Sequence, residues 1–556
     1  MAVLLIRLKF TLLRHSPTGM RLFGTALAVL GLGITWYFAL AAGSDAVRAD
    51  LLSLVFAVWA AAWMLGPTVA NGTGVLRSQY FALLPLDRRR LGAILLLTMF
   101  FDIGPALTLV ALAALSWHAL AVDPAALLVA VPGVLLLWVF VVSLSRLVFR
   151  ALGAAMHSRL GMEIASVQWG LILAGIFFGW MAVQPAFTAT LGLSENGLGE
   201  GAVGAVLSAL PTSWPVLAVQ AAAAGSWGAA SAWICALALL TGALVAVTAV
   251  LLAPRVGARG VRRRGRPLGA RPPTSRGPRF PLLPDTPLGA VVGKELRQWW
   301  RDPWRGLELR ASLWAALFIG LLTWSSGTFS FFAPFAGVIA AFIMALATSN
   351  MYGHDGTALW LSVVGQGRDT VRADVRGRQV AILLLIVPGA TLLSAVFVVA
   401  TGSPWAWPYV VTGMAVFFGV GSGLALLLSV VALSPGVDPQ LRVDANDSGD
   451  NQVQVWIALV ALPLLSAPAV LAAVFLGLAG LPWAAAPVGV LNGALAAWWL
   501  GRVAYRRLEA RLPEAFARIR YGKEVALRTV PANGSLLDRL ERTAIEGNAE
   551  TRPTGS

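Results

Sequence analysis

The sequence predicts an all-α polytopic membrane protein with about twelve transmembrane helices, and three observations support this prediction. Of the 556 residues, 58% are hydrophobic and only 12% are charged, whereas about 25% of the residues of a soluble domain are charged. Apolar segments of about 20 residues, the length that a hydrocarbon core of ~30 Å requires, recur along the chain. Shorter segments of alternating polarity, which are typical of membrane β-barrels, are not found in the sequence, so the spans are predicted to be helices.

The predicted spans fall into two sets of six. A basic, partly apolar segment precedes each set, at residues 3–19 and 291–310, and we predict that both are amphipathic helices at the membrane interface. The predicted spans are 20–42, 51–70, 91–117, 125–149, 165–187 and 229–253 in the first set, and 308–327, 331–349, 380–401, 407–433, 454–479 and 482–502 in the second.

The two sets resemble each other, which indicates an internal repeat. The segment Arg14–Pro17 aligns with Trp300–Pro303, and the segment Tyr80–Arg90 aligns with Trp360–Thr370. Each set starts on the same side of the membrane and has an even number of spans. The repeat is therefore predicted to be parallel, a plan that some transporters use with the transport path between the halves.

The chain divides into four predicted regions. The first six-span half is 1–254, an Arg-, Pro- and Gly-rich linker is 255–285, the second half is 286–503, and a charged tail is 504–556. Within the tail, 531–556 is predicted to be poorly ordered. Lys and Arg concentrate in the loops on one side, so both termini are predicted to be cytoplasmic, in a protein of the cytoplasmic membrane.

The formal net charge of +16 has two interpretations. Nucleic-acid binding is one, but the charges lie between apolar segments. Positive-inside topology and contact with anionic lipid headgroups explain that arrangement better.

The sequence indicates no catalytic or metal site. No phosphate-cradling glycine-rich loop precedes any of the three lysines, so we expect ATP hydrolysis, if any, to come from a partner chain. The four histidines are scattered, and Cys235 is the single cysteine. The chain is therefore predicted to be neither an enzyme nor a metalloprotein, and to bind no cofactor itself.

Asp102 is the one acidic residue deep within a predicted span. Because an ionised carboxylate at that depth is costly, we expect it to face the interior of the bundle. It is either a buried hydrogen-bonding group beside Pro105 or a residue of the substrate or proton path.

Four segments resemble the permease subunit of ABC-2-type exporters in the form that fuses two six-span halves. They are Lys294–Pro303, Asn350–Gly356, Leu83–Arg90 and Ala209–Trp214. The resemblance implies an exporter of an amphipathic, drug-like or lipid-like substrate, with two copies of a separate ATPase as partners. It also implies that the interfacial helices and the segments 77–90 and 352–370 contact that ATPase.

Residue by residue, the resemblance gives two sets of candidates. The interfacial-helix set is Lys294, Glu295, Arg301 and Asp302. The ATPase-coupling set is Asp87, Arg88, Arg89, Arg90, Asp355, Trp360, Arg368 and Asp369. Two alternatives stay open, namely an ion- or proton-coupled secondary transporter that uses Asp102, and a membrane enzyme or scaffold of envelope assembly.

Overall fold

The structure is a computed structural model. It describes residues 2–14, 19–41, 44–69, 81, 87–155, 159–182, 202–253, 283–327, 329–359, 368–436, 451–521, 530 and 534–547. Every regular element in these residues is a helix, and eleven helices among them are long and apolar enough to cross a membrane. The prediction of an all-α multi-pass membrane protein is confirmed. The count of twelve spans and the parallel repeat stay predictions.

Twenty-one α-helices are used in the description that follows. Those before the linker are α1 (Ala2–Arg14), α2 (Gly19–Ala41), α3 (Asp45–Val69), α4 (Arg88–Met99), α5 (Ile103–Leu112), α6 (Ala114–Val122), α7 (Leu127–Ala155), α8 (Arg159–Phe178), α9 (Ala202–Ala209), α10 (Trp214–Ala223) and α11 (Trp227–Leu252). Those after it are α12 (Pro287–Arg301), α13 (Pro303–Ser325), α14 (Ala336–Ala347), α15 (Met351–Asp355), α16 (Arg368–Ala400), α17 (Trp407–Val431), α18 (Gln452–Leu478), α19 (Ala485–Ala510), α20 (Leu512–Tyr521) and α21 (Leu536–Gly547).

The helices form two compact units. Unit 1 comprises Met1–Ala155 and Val183–Ala270, and unit 2 comprises Met156–Ala182 and Arg271–Ser556. Helix α8, which the sequence assigned to the first half, thus belongs to unit 2, where it packs along α13. Gly170 permits this contact, because a Cβ atom there would lie 2.4 Å from the Cβ of Trp314.

Unit 1 contains a helix break that the sequence analysis did not predict. We expected one span over 91–117, but α4 ends at Met99 and α5 begins at Ile103. Pro105 has no N–H to donate to the carbonyl of Phe101. That carbonyl accepts a hydrogen bond of 3.0 Å from the Lys9 ammonium instead. The missing donor and its substitute account for the break.

Unit 2 is organised around α17, which packs most closely against α19. Gly419 lies against Gly493, and a Cβ atom on Gly419 would come within 2.5 Å of three backbone atoms of Gly493. Gly423 and Gly489 extend the same seam. The small residues therefore allow the two backbones to approach, as in other membrane helix pairs.

The prediction that 531–556 is poorly ordered is wrong for part of that segment. Residues 536–547 form α21, which follows α20 and carries buried Ala544 and Ile545. The sequence analysis missed it because the helix is short and mostly polar, so its few apolar residues did not stand out from the charged tail.

Candidate functional site

Four charged side chains are buried together in unit 2, where α12, α13, α15 and α16 meet. Glu295, Arg305, Asp355 and Arg378 are each no more than 2% exposed. Charged residues are almost never buried this deeply unless they are paired. The four therefore identify the candidate site.

The four side chains form a closed ring of alternating charge. The guanidinium of Arg305 contacts Oε2 of Glu295 at 2.8 Å and Oδ1 of Asp355 at 2.5 Å. The guanidinium of Arg378 contacts Oε1 of Glu295 at 3.1 Å and also pairs with Oδ2 of Asp355. Each carboxylate thus bridges both cations, and each cation bridges both carboxylates. We call this group the ionic ring.

Three further side chains surround the ionic ring. Lys294 reaches Oδ2 of Asp355 at 3.1 Å from its more exposed side. Asp374 accepts a hydrogen bond of 3.0 Å from Nε of Arg378 and one of 2.6 Å from the Tyr352 hydroxyl. The Tyr352 ring also lies under the Arg378 guanidinium, 4.3 Å from its centroid. Three cations and three carboxylates therefore balance each other inside this contact network.

The turn between α12 and α13 presents Glu295 and Arg305 to the same point. Asp302 ends α12, and its carboxylate accepts a hydrogen bond of 3.0 Å from Trp304 N, which caps α13. Pro303 occupies the first position of α13, where a missing N–H has no cost. The chain thus changes direction between the two residues, so that Glu295 contacts Arg305, and Arg305 also reaches Asp355.

The segment Asn350–Gly356 holds the third corner of the ionic ring, and several of its positions have a visible role. The Asn350 side chain donates to Ser434 O at 3.0 Å and accepts from Ser434 N at 3.1 Å. Gly353 lies so close to the backbone of Ser434 that a Cβ atom on it would be 2.1 Å from Ser434 O. Gly356 ends α15 with φ 56° and ψ −138°, a conformation that is essentially restricted to glycine. Asp355, between these two glycines, is thereby fixed in place.

Arg378 enters the ionic ring because α16 packs closely on α12. Gly377 makes this possible, since a Cβ atom there would be 2.7 Å from the side chain of Val291. The two residues that flank Gly377 and Arg378, Arg376 and Gln379, both donate to Ala497 O of α19 at 3.0 Å. The start of α16 is thus tied to α12 on one face and to α19 on another.

The chemistry of the ionic ring is structural rather than reactive. Arginine keeps its proton in proteins, and its planar fork fixes the orientation of the carboxylates that it binds. Removing one partner of such a buried pair costs about 3–5 kcal/mol, because the other charge stays buried without compensation. The ring therefore joins a helix, a turn and the starts of two spans into one rigid corner.

The predicted interfacial-helix residues have different positions. Glu295 and Lys294 belong to the ionic ring or its rim, and Asp302 caps α13. Arg301 is exposed. Of the neighbouring tryptophans, Trp299 is buried and Trp300 is 78% exposed. Helix α12 therefore presents one face to the bundle and the other to its surroundings.

The predicted coupling residues are only partly described. Asp355 is buried, so in this conformation it supports the turn from inside instead of contacting a partner. Asp369 is exposed at the start of α16, and Trp360 lies outside the described residues. In unit 1, Asp87 and Arg90 are exposed and pair at 3.4 Å. The segment 70–80 and the side chains of Arg88, Arg89 and Arg368 lie outside the described part of the chain.

Asp102 does not face the bundle interior as we expected. Its side chain is 42% exposed, pairs with the buried Lys9 at 3.0 Å, and accepts a hydrogen bond of 2.9 Å from Ile103 N. It is thus the N-cap of α5 at the helix break. The expectation failed because the apolar residues Phe100 and Phe101 concealed the end of α4.

Arg305, Arg378, Asp374 and Tyr352 were not predicted as site residues. Sequence reasoning treated the arginines only as topology signals. The sequence held no usable signal for Arg378, because this residue lies in the charged first three turns of α16, directly before the apolar span predicted from residue 380. Their meeting with Glu295 and Asp355 depends on tertiary packing and could not be read from spacing.

A cavity of about 480 Å³ opens at the other end of α13 from the ionic ring. Trp324, Phe331 and Trp405 give it an aromatic lining, and Ser330, Thr401 and Ser403 add hydroxyl groups. None of the residues that line it is charged. Such a surface suits a neutral ligand with apolar and hydrogen-bonding parts.

The sequence was compared with family models, and sequence and structure were compared with curated proteins and solved structures. No family model, no curated protein and no solved structure matches this chain.

Proposed function

We propose that this chain is the permease subunit of an ABC-2-type exporter, with ATP hydrolysed by a separate ATPase. The observation that supports the proposal most is the ionic ring. The two segments that carry the resemblance in the second half, Lys294–Pro303 and Asn350–Gly356, supply Glu295 and Asp355 to it. Two segments far apart in sequence thus contribute to the same network of ion pairs.

The ionic ring suits a permease that is driven by a partner. It ties the interfacial helix α12 and the turn after α15 to the first turns of α13 and to α16. Force applied to the turn or to α12 would therefore move two spans together. A partner that changes shape on ATP binding needs such a rigid attachment to shift the permease between two packings.

The substrate class in this proposal is amphipathic or lipid-like. The cavity beside Trp324 supports that choice, because aromatic and hydroxyl groups line it without a charge. A proton-coupled transporter has less support, since the carboxylate of Asp102 caps α5 and pairs with Lys9.

The experiment is a pull-down of the tagged chain from its native membrane in mild detergent, with quantification of any ATPase that co-purifies. We expect a near-stoichiometric ATPase, and a large loss when Arg88, Arg89 and Arg90, or Arg368 and Asp369, are replaced by Ala. The matched control is Arg539→Ala, which removes an exposed arginine on α21. Pure chain without an ATPase, or equal loss with the control, would overturn the proposal.

A further inference from the structure

The carboxyl-terminal helix α21 is attached to the rest of unit 2 by a second network of ion pairs. Asp538 and Glu541 of α21 face Arg507 of α19, Arg511 at the junction between α19 and α20, and Arg518 of α20. Glu541 contacts Arg507 at 2.7 Å and Arg511 at 3.3 Å, and Asp538 contacts Arg511 at 2.7 Å and also pairs with Arg507. We call this group the tail clasp.

The tail clasp is shielded from solvent. The side chains of Asp538 and Glu541 are only 8% and 13% exposed. Ile545, on the same helix, is buried against Val530. Ion pairs at this depth are screened far less by salt than surface pairs are, so the clasp differs from an ordinary solvated charge run.

Helix α21 depends on this attachment for its existence. It has twelve residues, and an isolated helix of that length is marginal in water. Its buried surface consists of a few residues, among them Ala544 and Ile545. The helix is therefore expected to form when the clasp closes and to unfold when it opens.

Helix α20, which supplies Arg518 to the tail clasp, lies against the turn that follows Asp355 in the chain. Helix α20 packs on Gly356–Leu359. Leu512 and Ile519 of α20 share a hydrophobic core with Tyr352 and Leu359. The chain of contacts thus runs from α21 through α20 to the turn directly after Asp355.

We propose that the tail clasp is a positioning device that fixes the turn Gly356–Leu359 through α20. The turn lies within the segment 352–370, which contacts the ATPase in the proposed function. This inference therefore rests on that function. With the clasp closed, the turn has one position and transmits motion. With the clasp open, α20 loosens and the turn loses its support from that side.

The test is hydrogen exchange on the full chain in nanodiscs, followed in peptides that cover 536–547, 512–521 and 351–360. The first variant is Asp538→Asn with Glu541→Gln, which removes the charges and keeps the shape. The second is Ile545→Ala, which weakens the same attachment without changing a charge. The matched control is Glu546→Gln, because Glu546 is 55% exposed on the same helix and pairs with Arg542 of that helix.

We expect both clasp variants to accelerate exchange about tenfold or more in 536–547, since lost hydrogen bonds to charged groups change an equilibrium by at least that factor. Exchange in 512–521 and 351–360 should rise about threefold or more, because the support of the turn is lost. The control should match the unmodified chain. ATPase stimulation by the permease should fall in the clasp variants and not in the control.

The outcomes separate the two proposals. If α21 opens while exchange in 351–360 is unchanged, the clasp holds only the tail, and this inference is wrong. If neither variant opens α21, the ion pairs do not hold it, and the inference is again wrong. If no ATPase is found but the turn loosens as expected, the proposed function fails and the mechanical linkage stands.

Discussion

Neutralising Asp355 should destabilise the protein more than any other single carboxylate change at the candidate site. Asp355 contacts Arg305 at 2.5 Å, Lys294 at 3.1 Å and also Arg378. Asp355→Asn keeps the shape and leaves two buried guanidiniums without part of their counter-charge. The expected loss in the free energy of unfolding is about 3–5 kcal/mol, the cost of breaking a buried pair.

Two matched carboxylates give the scale for that loss. Asp374 contacts one member of the ionic ring, Arg378, and the Tyr352 hydroxyl, so Asp374→Asn should cost about 1–3 kcal/mol. Asp369 is exposed, so Asp369→Asn should change stability by less than about 0.5 kcal/mol. The assay is reversible unfolding in mixed micelles with increasing SDS, followed by tryptophan fluorescence.

A double-mutant cycle tests whether the ionic ring acts as a unit. Arg378→Met alone leaves three carboxylates, Glu295, Asp355 and Asp374, short of a cation. Combining it with Asp355→Asn removes the mismatch between positions 355 and 378. The double variant should therefore be more stable than the sum of the single losses predicts, by about 2 kcal/mol. Additive losses, or an Asp355→Asn variant within about 1 kcal/mol of the unmodified chain, would refute the reasoning.

Four further predictions follow from single positions. Gly356→Ala should lower stability by about 1–3 kcal/mol in the same unfolding assay, because its backbone conformation is unfavourable for a side chain. The hydrogen bond from Arg507 holds the pKa of Asp538 well below its usual range. The stabilisation that Asp538 gives to the tail clasp is therefore present above the ordinary carboxyl pKa of ~3.9 and is lost only as the pH falls towards the lower pKa of the folded state. The amides of 536–547 should be at least as well protected from hydrogen exchange at pH 5 as at pH 7.5. Burial lowers the pKa of Arg518 to about 10, so the guanidinium stays charged at neutral pH but loses hydration energy, and Arg518→Met should leave the protection of α21 unchanged or increased. Asp102→Asn should retain near-normal export in vesicles, since Asn can still cap α5; abolished export would favour the proton-coupled alternative.

Several features of the fold could be predicted because they depend on local chemistry. The turn at Asp302–Pro303 combines a capping carboxylate with a proline that suits a helix start, and the structure ends α12 and starts α13 there, whereas the sequence analysis extended the interfacial segment to residue 310. The apolar lengths of the spans were equally local, because hydrocarbon thickness sets them. The break at Asp102 was not visible, since the Phe101 carbonyl that Pro105 leaves without a donor is bonded by a lysine far away in sequence, Lys9.

The candidate site was predictable only in part. The segments around Glu295 and Asp355 stood out because they resemble segments of ABC-2-type permeases. Their partners Arg305 and Arg378 looked like ordinary inward-side arginines, and nothing in their spacing shows that they share two carboxylates. Helix α21 was missed for a similar reason, because its charges looked solvated until Arg507 and Arg511 were placed opposite them.

The closed arrangement of the ion pairs gives a physical reason for charged rather than apolar residues in the ionic ring. Buried ion pairs can often be replaced by apolar residues with no loss of stability, so holding α12 on α16 does not by itself require charge. An apolar contact, however, tolerates sliding between helices, whereas two planar guanidinium forks fix direction as well as distance. Since every member of the ring has two partners within it, a residue that loses one pair is still held by the other. The corner is therefore expected to move as a whole or not at all, which is the property that a lever for a separate motor requires.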